Sequence, residues 1–485
     1  MGTALFTVAE LRAIEQGAQS GLPPGELMAR AGRGAARRID ALAGDRRPSV
    51  CIVCGPGNNG GDGFVVAAEL AARGHQVVCV LLGAAQPSAT DALAAFRRWR
   101  EGGGAMSAAL PDRRFDIVVD ALFGIGLARP LQGAFLDAVR WINEHAERVV
   151  ALDVPSGLDS DRGAWVGDVE GVRADLTVTF LGDKPGLHTG AGSDAAGEVQ
   201  VDWLGLEAGS SALTLSAPDE FPDIARPRRR DTHKGSFGNV LVVGGGAGMV
   251  GAPLLAARAA LRLGAGRVYV DCIGAPELRV DPVQPELMFR PHASIADPEC
   301  VVVGCGLGVD SGGRAALAWS LARPRACVID ADGLNLLAEE SALRATLRER
   351  AVPSVLTPHP LEAARLLKIS AQDVQRDRLG AARTLARDLR AIVVLKGAGT
   401  VIAGPDGRTA INPTGSPALA TAGTGDVLAG MLGALLAQGF DAWQSVVAAV
   451  WLHGAAVRGA GDIGIVAGDL APRAAEALRE LREGL

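Results

Sequence analysis

The sequence predicts an α/β protein of two tandem domains, each a mostly parallel sheet with helices on both faces. Three observations carry that expectation. Short β-branched runs alternate with Ala-rich helical stretches. The alternation stops in a polar stretch, Leu206–Arg230, and then starts again. A chain of 485 residues is also too long for one ordinary core.

In the first half, two amphipathic helices, Val8–Ser20 and Gly25–Ala43, precede strands at Ser49–Cys54, Gln76–Leu82, Asp116–Asp120, Arg148–Leu152 and Asp175–Phe180. Helices are expected between them, such as Asp62–Arg73 and Ala134–His145. In the second half the strands are Asn239–Val243, Arg267–Asp271, Cys300–Val303, Ala326–Asp330, Ser354–Leu356 and Ala391–Leu395. The expected helices there are Gly251–Leu263, Gly425–Gln438 and Ala442–Val457. The domains are therefore placed at residues 1–210 and 230–485, with 211–229 as a linker. The basic run Ala225–Arg230 reads as part of that solvated linker, an anion site being the alternative. No short repeat suggests a solenoid.

Composition excludes several classes. With 48% hydrophobic and 21% charged residues, the chain can fill its cores. A net charge of −6 points away from nucleic acid and membrane surfaces. No apolar run approaches the roughly 20 residues of a membrane span. Met1–Gln16 lacks the pattern of a secretion signal, with Glu10 in place of an apolar core, so a cytoplasmic protein is expected. Seven cysteines fit a reduced compartment. Cys51 and Cys54 make a CxxC, but on a strand residues three apart face opposite ways, so a structural role is expected. Only four residues are lysine (184, 234, 368 and 396) against 44 arginines. This draws attention to Lys234 and Lys396 as places where a compact charge was kept. Ala-rich helices such as Ala442–Val457 suit packing within a subunit or between subunits, and a homo-oligomer is expected.

Ligands in open α/β sheets bind at the carboxyl ends of strands, and the Gly-rich loops fall there. Gly246-x-Gly248-x-x-Gly251 follows a strand, opens a helix and is followed 20 residues later by Asp271, the dinucleotide fingerprint of an oxidoreductase. However, with 64 glycines in the chain, that spacing arises about once by chance. No GxxxxGK[ST] is present. Gly55–Gly63 is more specific: its glycines would turn backbone amides toward a phosphate, and Asp62 would cap the following helix. Asp120 with Gly124–Pro130, and Asp153 with Ser156 and Asp159, mark the ends of two further strands as a polar site. In the second half, Asn412–Gly415 and Thr421–Asp426 run into a long apolar helix. Glycines at a helix start form an anion hole, and Asp426 then lies near a hydroxyl attacking a held phosphoryl group. Lys396–Thr400, a Gly loop suited to a nucleotide, ends one strand and Thr357–Pro360 another.

Residues 5–205, through Gly55–Gly63, Gly124–Pro130, Asp153–Asp159, Lys184–Leu187 and Gly190–Gly192, resemble the NAD(P)H-hydrate epimerase domain, a Rossmann-like three-layer fold. The resemblance implies that Asn58, Asn59, Gly60, Gly61, Asp62, the run Gly124, Ile125, Gly126, Leu127, Ala128, Arg129 and Pro130, and Asp153 hold hydrated dinucleotide. It also implies a potassium ion on Asn59, Asp120 and Ser156, oxygen donors that suit a hard cation. Asp153 is the candidate acid/base. The same fold occurs as a non-catalytic module in RNA-processing scaffolds, a reading that Asp120, Asp153 and Ser156 disfavour.

Residues 230–480, through Thr232–Gly238, Gly244–Gly251, Lys396–Thr400 and Thr421–Asp426, resemble the ribokinase-like superfamily and within it the ADP-dependent NAD(P)H-hydrate dehydratase. Lys396, Gly397, Ala398, Gly399, Thr400 and Gly425 are thereby implied to contact ADP, with magnesium, and Ala252, Gly308, His359 and Asp426 the hydrate. Asp426 is the catalytic candidate. A vitamin or sugar kinase is the alternative for this half. The chain departs from the family at Ile125 (often Thr or Ser), Leu361 (usually Gly) and Cys305 (usually Pro).

Overall fold

The computed structural model describes residues 2–167 and 169–484, and the chain divides into two compact units, Ala4–Ser211 and Ala212–Leu485 with the first residues of the chain. Each follows from the same physics. A strand buried on both faces must be apolar at every position rather than alternately, and Val50–Cys54, Val301–Val303 and Val393–Leu395 are buried throughout.

In the first unit seven strands run parallel in the spatial order Met106–Ser107, Gln76–Leu81, Ser49–Cys54, Phe115–Ala121, Ala146–Leu152, Leu176–Phe180 and Glu198–Asp202. In chain order this is 3-2-1-4-5-6-7, so the direction of winding reverses between Ser49–Cys54 and Phe115–Ala121. That crevice is where ligands bind in such sheets. Cys51 and Cys54 pack into the cores on opposite sheet faces, and all seven cysteines are buried and unpaired.

The segment expected as a long Gly loop is mostly helix. The helix begins at Asn58 and runs to Ala72, with Gly57 as its N-cap, so Asp62 lies in its second turn and does not cap it. Its glycines serve close approach. A Cβ on Gly60 would stand 1.9 Å from the Gly55 carbonyl oxygen, and one on Gly61 would stand 2.8 Å from Ala92 Cα.

In the second unit the parallel strands lie in the order Met288–Phe289, Arg267–Cys272, Asn239–Gly244, Cys300–Val303, Ala326–Ile329, Ser354–Leu356 and Ile392–Leu395. The winding is again 3-2-1-4-5-6-7, reversing between Asn239–Gly244 and Cys300–Val303. An antiparallel hairpin, Val401–Ala403 and Thr409–Ile411, extends the sheet. The stretch read as a linker is built into this unit: Leu213–Leu215 pairs in parallel with Thr409–Ile411, and Phe221 and Ile224 are wholly buried. Apolar anchors at those positions outweigh the Ser, Pro and Arg around them. The helix Ala442–Ala455 is buried along nearly its whole length inside its own unit, which answers the question of where that helix packs. No helix among the described residues is long and apolar enough to cross a membrane.

Candidate active sites

In the first unit a cavity of about 470 Å³ opens at the switch point. Asn58, Asn59 and Asp62 line it from the helix start, Gly124–Leu127 from the loop after Phe115–Ala121, and Asp153 from the end of Ala146–Leu152. Of the other expected residues, Gly60 and Gly61 are buried in packing, and Ala128–Pro130 are exposed outside the lining. Asp153 has φ 67°, a left-handed conformation uncommon for residues with a side chain and concentrated at functional sites. Its Oδ2 accepts from the Ile125 amide at 3.0 Å, and its Oδ1 meets Lys184 Nζ at 2.9 Å. Gly124 admits this contact, since a Cβ there would lie 2.4 Å from Asp153 Oδ2. Because Ile125 contributes its backbone amide, the lack of a hydroxyl at that position does not break the contact.

Lys184 is fully buried and also donates to Thr179 Oγ1 (2.6 Å) and to the carbonyls of Phe180 (3.0 Å) and Gly182 (3.2 Å). The sequence displayed Lys184 within a motif but gave it no role. Its pairing with Asp153 needs two strand ends brought together. Besides Asp153, three carboxylates line the cavity: Glu15, Asp62 and Asp91. Burial raises the pKa of both Asp62 and Glu15, and the charge of Asp153 adds to it.

Asp120 is completely buried, and its oxygens accept from the Ser156 amide (2.7 Å), the Ser156 hydroxyl (2.7 Å) and the Leu122 amide (3.1 Å). Burial nevertheless pushes its pKa up to about 6. Asn59 is buried with its side-chain Nδ2 unpartnered. Asp159 accepts the amides of Asp161 and Arg162, the work of a turn.

In the second unit the loops at the switch point are knitted together. Gly245 and Gly246 amides donate to the carbonyls of Cys305 (3.1 Å) and Gly306 (2.6 Å), and Gly308 N donates to Asp332 Oδ2 at 2.8 Å. Ala252 is buried in the first turn of the following helix, Gly251–Arg262. Lys396 Nζ contacts Asp330 Oδ1 at 2.8 Å. Gly425 sits directly over that pair, since a Cβ on it would lie 3.1 Å from Lys396 Nζ and 3.5 Å from Asp330 Oδ2. Ligand atoms of Cys305, Asp330 and Asp426 all lie within 4.8 Å of one another. Burial, then the neighbouring Asp330, raises the Asp426 pKa to about 6, while the Cys305 thiol and Lys396 hold it down. Burial works against the Lys396 ammonium, but Asp330 and Glu362 more than offset it and keep its pKa high.

The helix Thr424–Ala437 starts after Gly423, which has φ 89°. His453 braces this start: its Nε2 donates to the Thr424 carbonyl at 2.9 Å, and burial drops its pKa to about 4, so the ring is neutral. The Lys396–Thr400 loop is tied by Thr400 Oγ1, which donates to the Gly397 carbonyl at 3.0 Å, and by buried Arg378, which donates to the carbonyls of Leu395 and Lys396. Neither Arg378 nor His453 is signalled locally in the sequence.

His359 is the N-cap of the helix Pro360–Leu367, its Nδ1 accepting from the amides of Leu361 (3.1 Å) and Glu362 (3.2 Å). That leaves Nε2 as a proton donor on a half-exposed ring. Beside it burial pushes the Glu362 pKa up to about 7. Leu361 is exposed, and so is Lys234. Asp271 accepts from the backbone amide and Nδ1 of His292 at 2.7 and 2.6 Å, so the acidic residue of the dinucleotide fingerprint is engaged by the protein.

Comparison with known proteins agrees with both halves. The NAD(P)H-hydrate dehydratase family model matches residues 240–479, and the YjeF-related protein N-terminus model matches residues 24–186. The bifunctional NAD(P)H-hydrate repair enzyme of Coxiella burnetii is 37% identical over 97% of this chain and 98% of its own length. A ribokinase-like superfamily protein of Enterococcus faecalis shares the fold of the second unit, with TM-score 0.50 and 23% identity over 57% of this chain and 99% of its own. An ADP/ATP-dependent NAD(P)H-hydrate dehydratase of Bacillus subtilis, crystallised with ATP and Mg2+, is 30% identical over 54% of this chain and 96% of its own, with TM-score 0.48. Two family models in tandem, and full-length relatives carrying both, leave one assignment: the chain belongs to the bifunctional NAD(P)H-hydrate repair enzymes.

Proposed function

We propose that this chain returns hydrated NADH and NADPH to use in the cytoplasm: the first unit interconverts the two epimers, and the second dehydrates one of them with ADP. The observation that carries the reading is the Asp426 carboxylate at a helix start beside the Lys396–Asp330 pair, a base set next to free amides and a cation.

For epimerisation, the hydroxyl on the ring carbon must leave and return on the other face. Asp153 is the group that gives and takes the proton, and Lys184 fixes which carboxylate oxygen faces the ring. The amides of the Asn58 helix start and the Gly124–Leu127 loop hold the dinucleotide's phosphates. Potassium suits the oxygens of Asp120 and Ser156, and from Asn59 it would take the side-chain Oδ1, since the buried, unpartnered Nδ2 is a donor and cannot bind a cation. Such a cation would supply the positive charge that the buried Asp120 carboxylate lacks.

For dehydration, Asp426 takes the proton of the ring hydroxyl as its oxygen attacks the β-phosphoryl group of ADP, and AMP leaves. Lys396 and the Gly423–Gly425 amides stabilise the charge gathering on that phosphoryl group. Phosphate then departs from the ring carbon as the adjacent carbon loses a proton, restoring the dihydronicotinamide. Magnesium, which prefers phosphate and carboxylate oxygens, suits Asp330 Oδ2 better than the Cys305 thiol. Lys396–Thr400 and Gly425 hold the nucleotide, and Ala252, Gly308 and His359 the hydrate.

The test is direct. The protein supplied with hydrated NADH and ADP should yield NADH, AMP and phosphate in equal amounts, and an epimer mixture should be consumed completely. Hydride transfer to or from an added alcohol, lost on Gly248→Val, would restore the oxidoreductase reading.

A further inference from the structure

The basic run Ala225–Arg230 has no part in either site. Within the second unit, Arg228 stacks on the Phe237 ring, its guanidinium carbon 3.7 Å from the centroid, and donates through Nη2 to the Gly264 carbonyl (2.8 Å) and Gln438 Oε1 (2.5 Å). It meets Arg262, at the end of the helix Gly251–Arg262, and Arg479 and Arg482 of the helix Ala467–Glu483. These four arginines, over a floor of Leu263 and Leu478, line a cavity of about 170 Å³.

The charges there do not balance. Arg479 is paired with two carboxylates, Glu476 and Glu483, each with an oxygen at 2.5 Å, one negative charge more than it needs. Among the described residues Arg482 donates only to the Ile224 carbonyl, at 3.1 and 3.0 Å, and Arg228 only to neutral oxygens. The Arg262 side chain makes no hydrogen bond or ion pair among the described residues, and the residue is exposed. Among the described residues Arg228, Arg262 and Arg482 pair with no carboxylate, and four guanidinium charges against the two glutamates leave the cavity a net charge of about +2. Burial lowers the pKa of Arg228 and Arg482, and Arg482 adds to the effect at Arg228. Helix carboxyl ends nearby offset part of this, at about half a charge each, which leaves a net positive cavity.

We infer that this cavity binds a phosphoryl group. A carboxylate offers two coplanar oxygens, which one guanidinium saturates. Three guanidinium groups arriving from a loop and two helices match the several oxygens of a tetrahedral oxyanion, which planar arginines grip in pairs. The volume is below the roughly 300–1,000 Å³ of sites that enclose drug-sized ligands. It takes phosphate or pyrophosphate, or the terminal phosphate of a nucleotide whose base stays outside.

Equilibrium dialysis of the full chain against labelled inorganic phosphate, pyrophosphate and AMP, at fixed ionic strength, tests this. Arg262→Glu and Arg482→Gln should each weaken one phosphate site at least tenfold, with kcat/KM of both reactions unchanged. Arg262→Ser removes the exposed charge without reversing it and should lose the same site. Loss of AMP binding in parallel would name a nucleotide phosphate as the source, and loss of inorganic phosphate and pyrophosphate alone a free anion. Phosphate binding equal in wild type and all three variants, or no tighter than chloride, overturns the inference.

Discussion

Asp426 owes its proton affinity to its neighbours. Burial and Asp330 lift its pKa to about 6, against the pull of Cys305 and Lys396. In its proposed role of base it must be ionised, so dehydration kcat/KM should rise about tenfold per pH unit below 6 and flatten above it. Cys305→Ala removes a hydrogen bond to the carboxylate, so the midpoint should move to higher pH; an unchanged profile would deny the thiol its role. Asp120 behaves differently. Its pKa of about 6 reflects burial, and to hold the proposed cation it would have to lose its proton. Epimerisation should therefore fail as pH drops through about 6, and added potassium should move that limb to lower pH. If replacing potassium with tetramethylammonium leaves the epimerase rate and its acid limb untouched, the cation does not sit on Asp120. Asp426 was legible in the sequence because its glycines mark a helix start. Asp330, 66 residues from its partner Lys396, was not, since only the sheet brings them together.

At the scale of elements, the helix Asn58–Ala72 shows where a motif misleads. Six residues rich in glycine, Asn58–Gly63, carry poor helix propensity and read as a loop. Packing overrides this, because the Gly60 and Gly61 backbones must lie against Gly55 and Ala92. A Gly60→Ala change gains about 1 kcal/mol of helix propensity but drives Cβ into a backbone oxygen that cannot yield. Overpacking of this kind costs about 1–3 kcal/mol, and here the oxygen lies only 1.9 Å away. The clash should win, lowering the denaturant midpoint of the first unit and its epimerase activity, with dehydration retained. A stabilised Gly60→Ala protein would show that the helix start is free to move. Strands Ser49–Cys54, Cys300–Val303 and Ser354–Leu356 were legible to the residue, because burial on both faces leaves an unbroken apolar run. Val401–Ala403 and Leu213–Leu215 were not. Three residues are too few to show a period, and only pairing with distant strands defines them.

Across the whole molecule the two sites lie in separate folding units, each at its own winding reversal, and their chemistry should separate as cleanly. Asp426→Asn keeps the side chain's size but cannot accept the hydroxyl proton, so dehydration should fall by roughly 10²–10⁴-fold. Nucleotide binding should persist, because the Gly423–Gly425 amides and the Arg378-braced Lys396 loop are unaltered. Epimerisation should also persist, since Asp153 and Lys184 belong to the other unit. Asp153→Asn should do the reverse: Lys184 loses its charged partner, inversion slows, and the epimer that the second unit accepts still disappears at the normal rate. The measurement is the time course of each epimer, supplied as a mixture with excess ADP. In the Asp153→Asn protein one epimer should vanish quickly and the other only at its spontaneous rate. In Asp426→Asn the two should keep a constant ratio while neither declines. If either folded variant loses both activities, the epimers are handled by one shared centre, and the two-site reading fails.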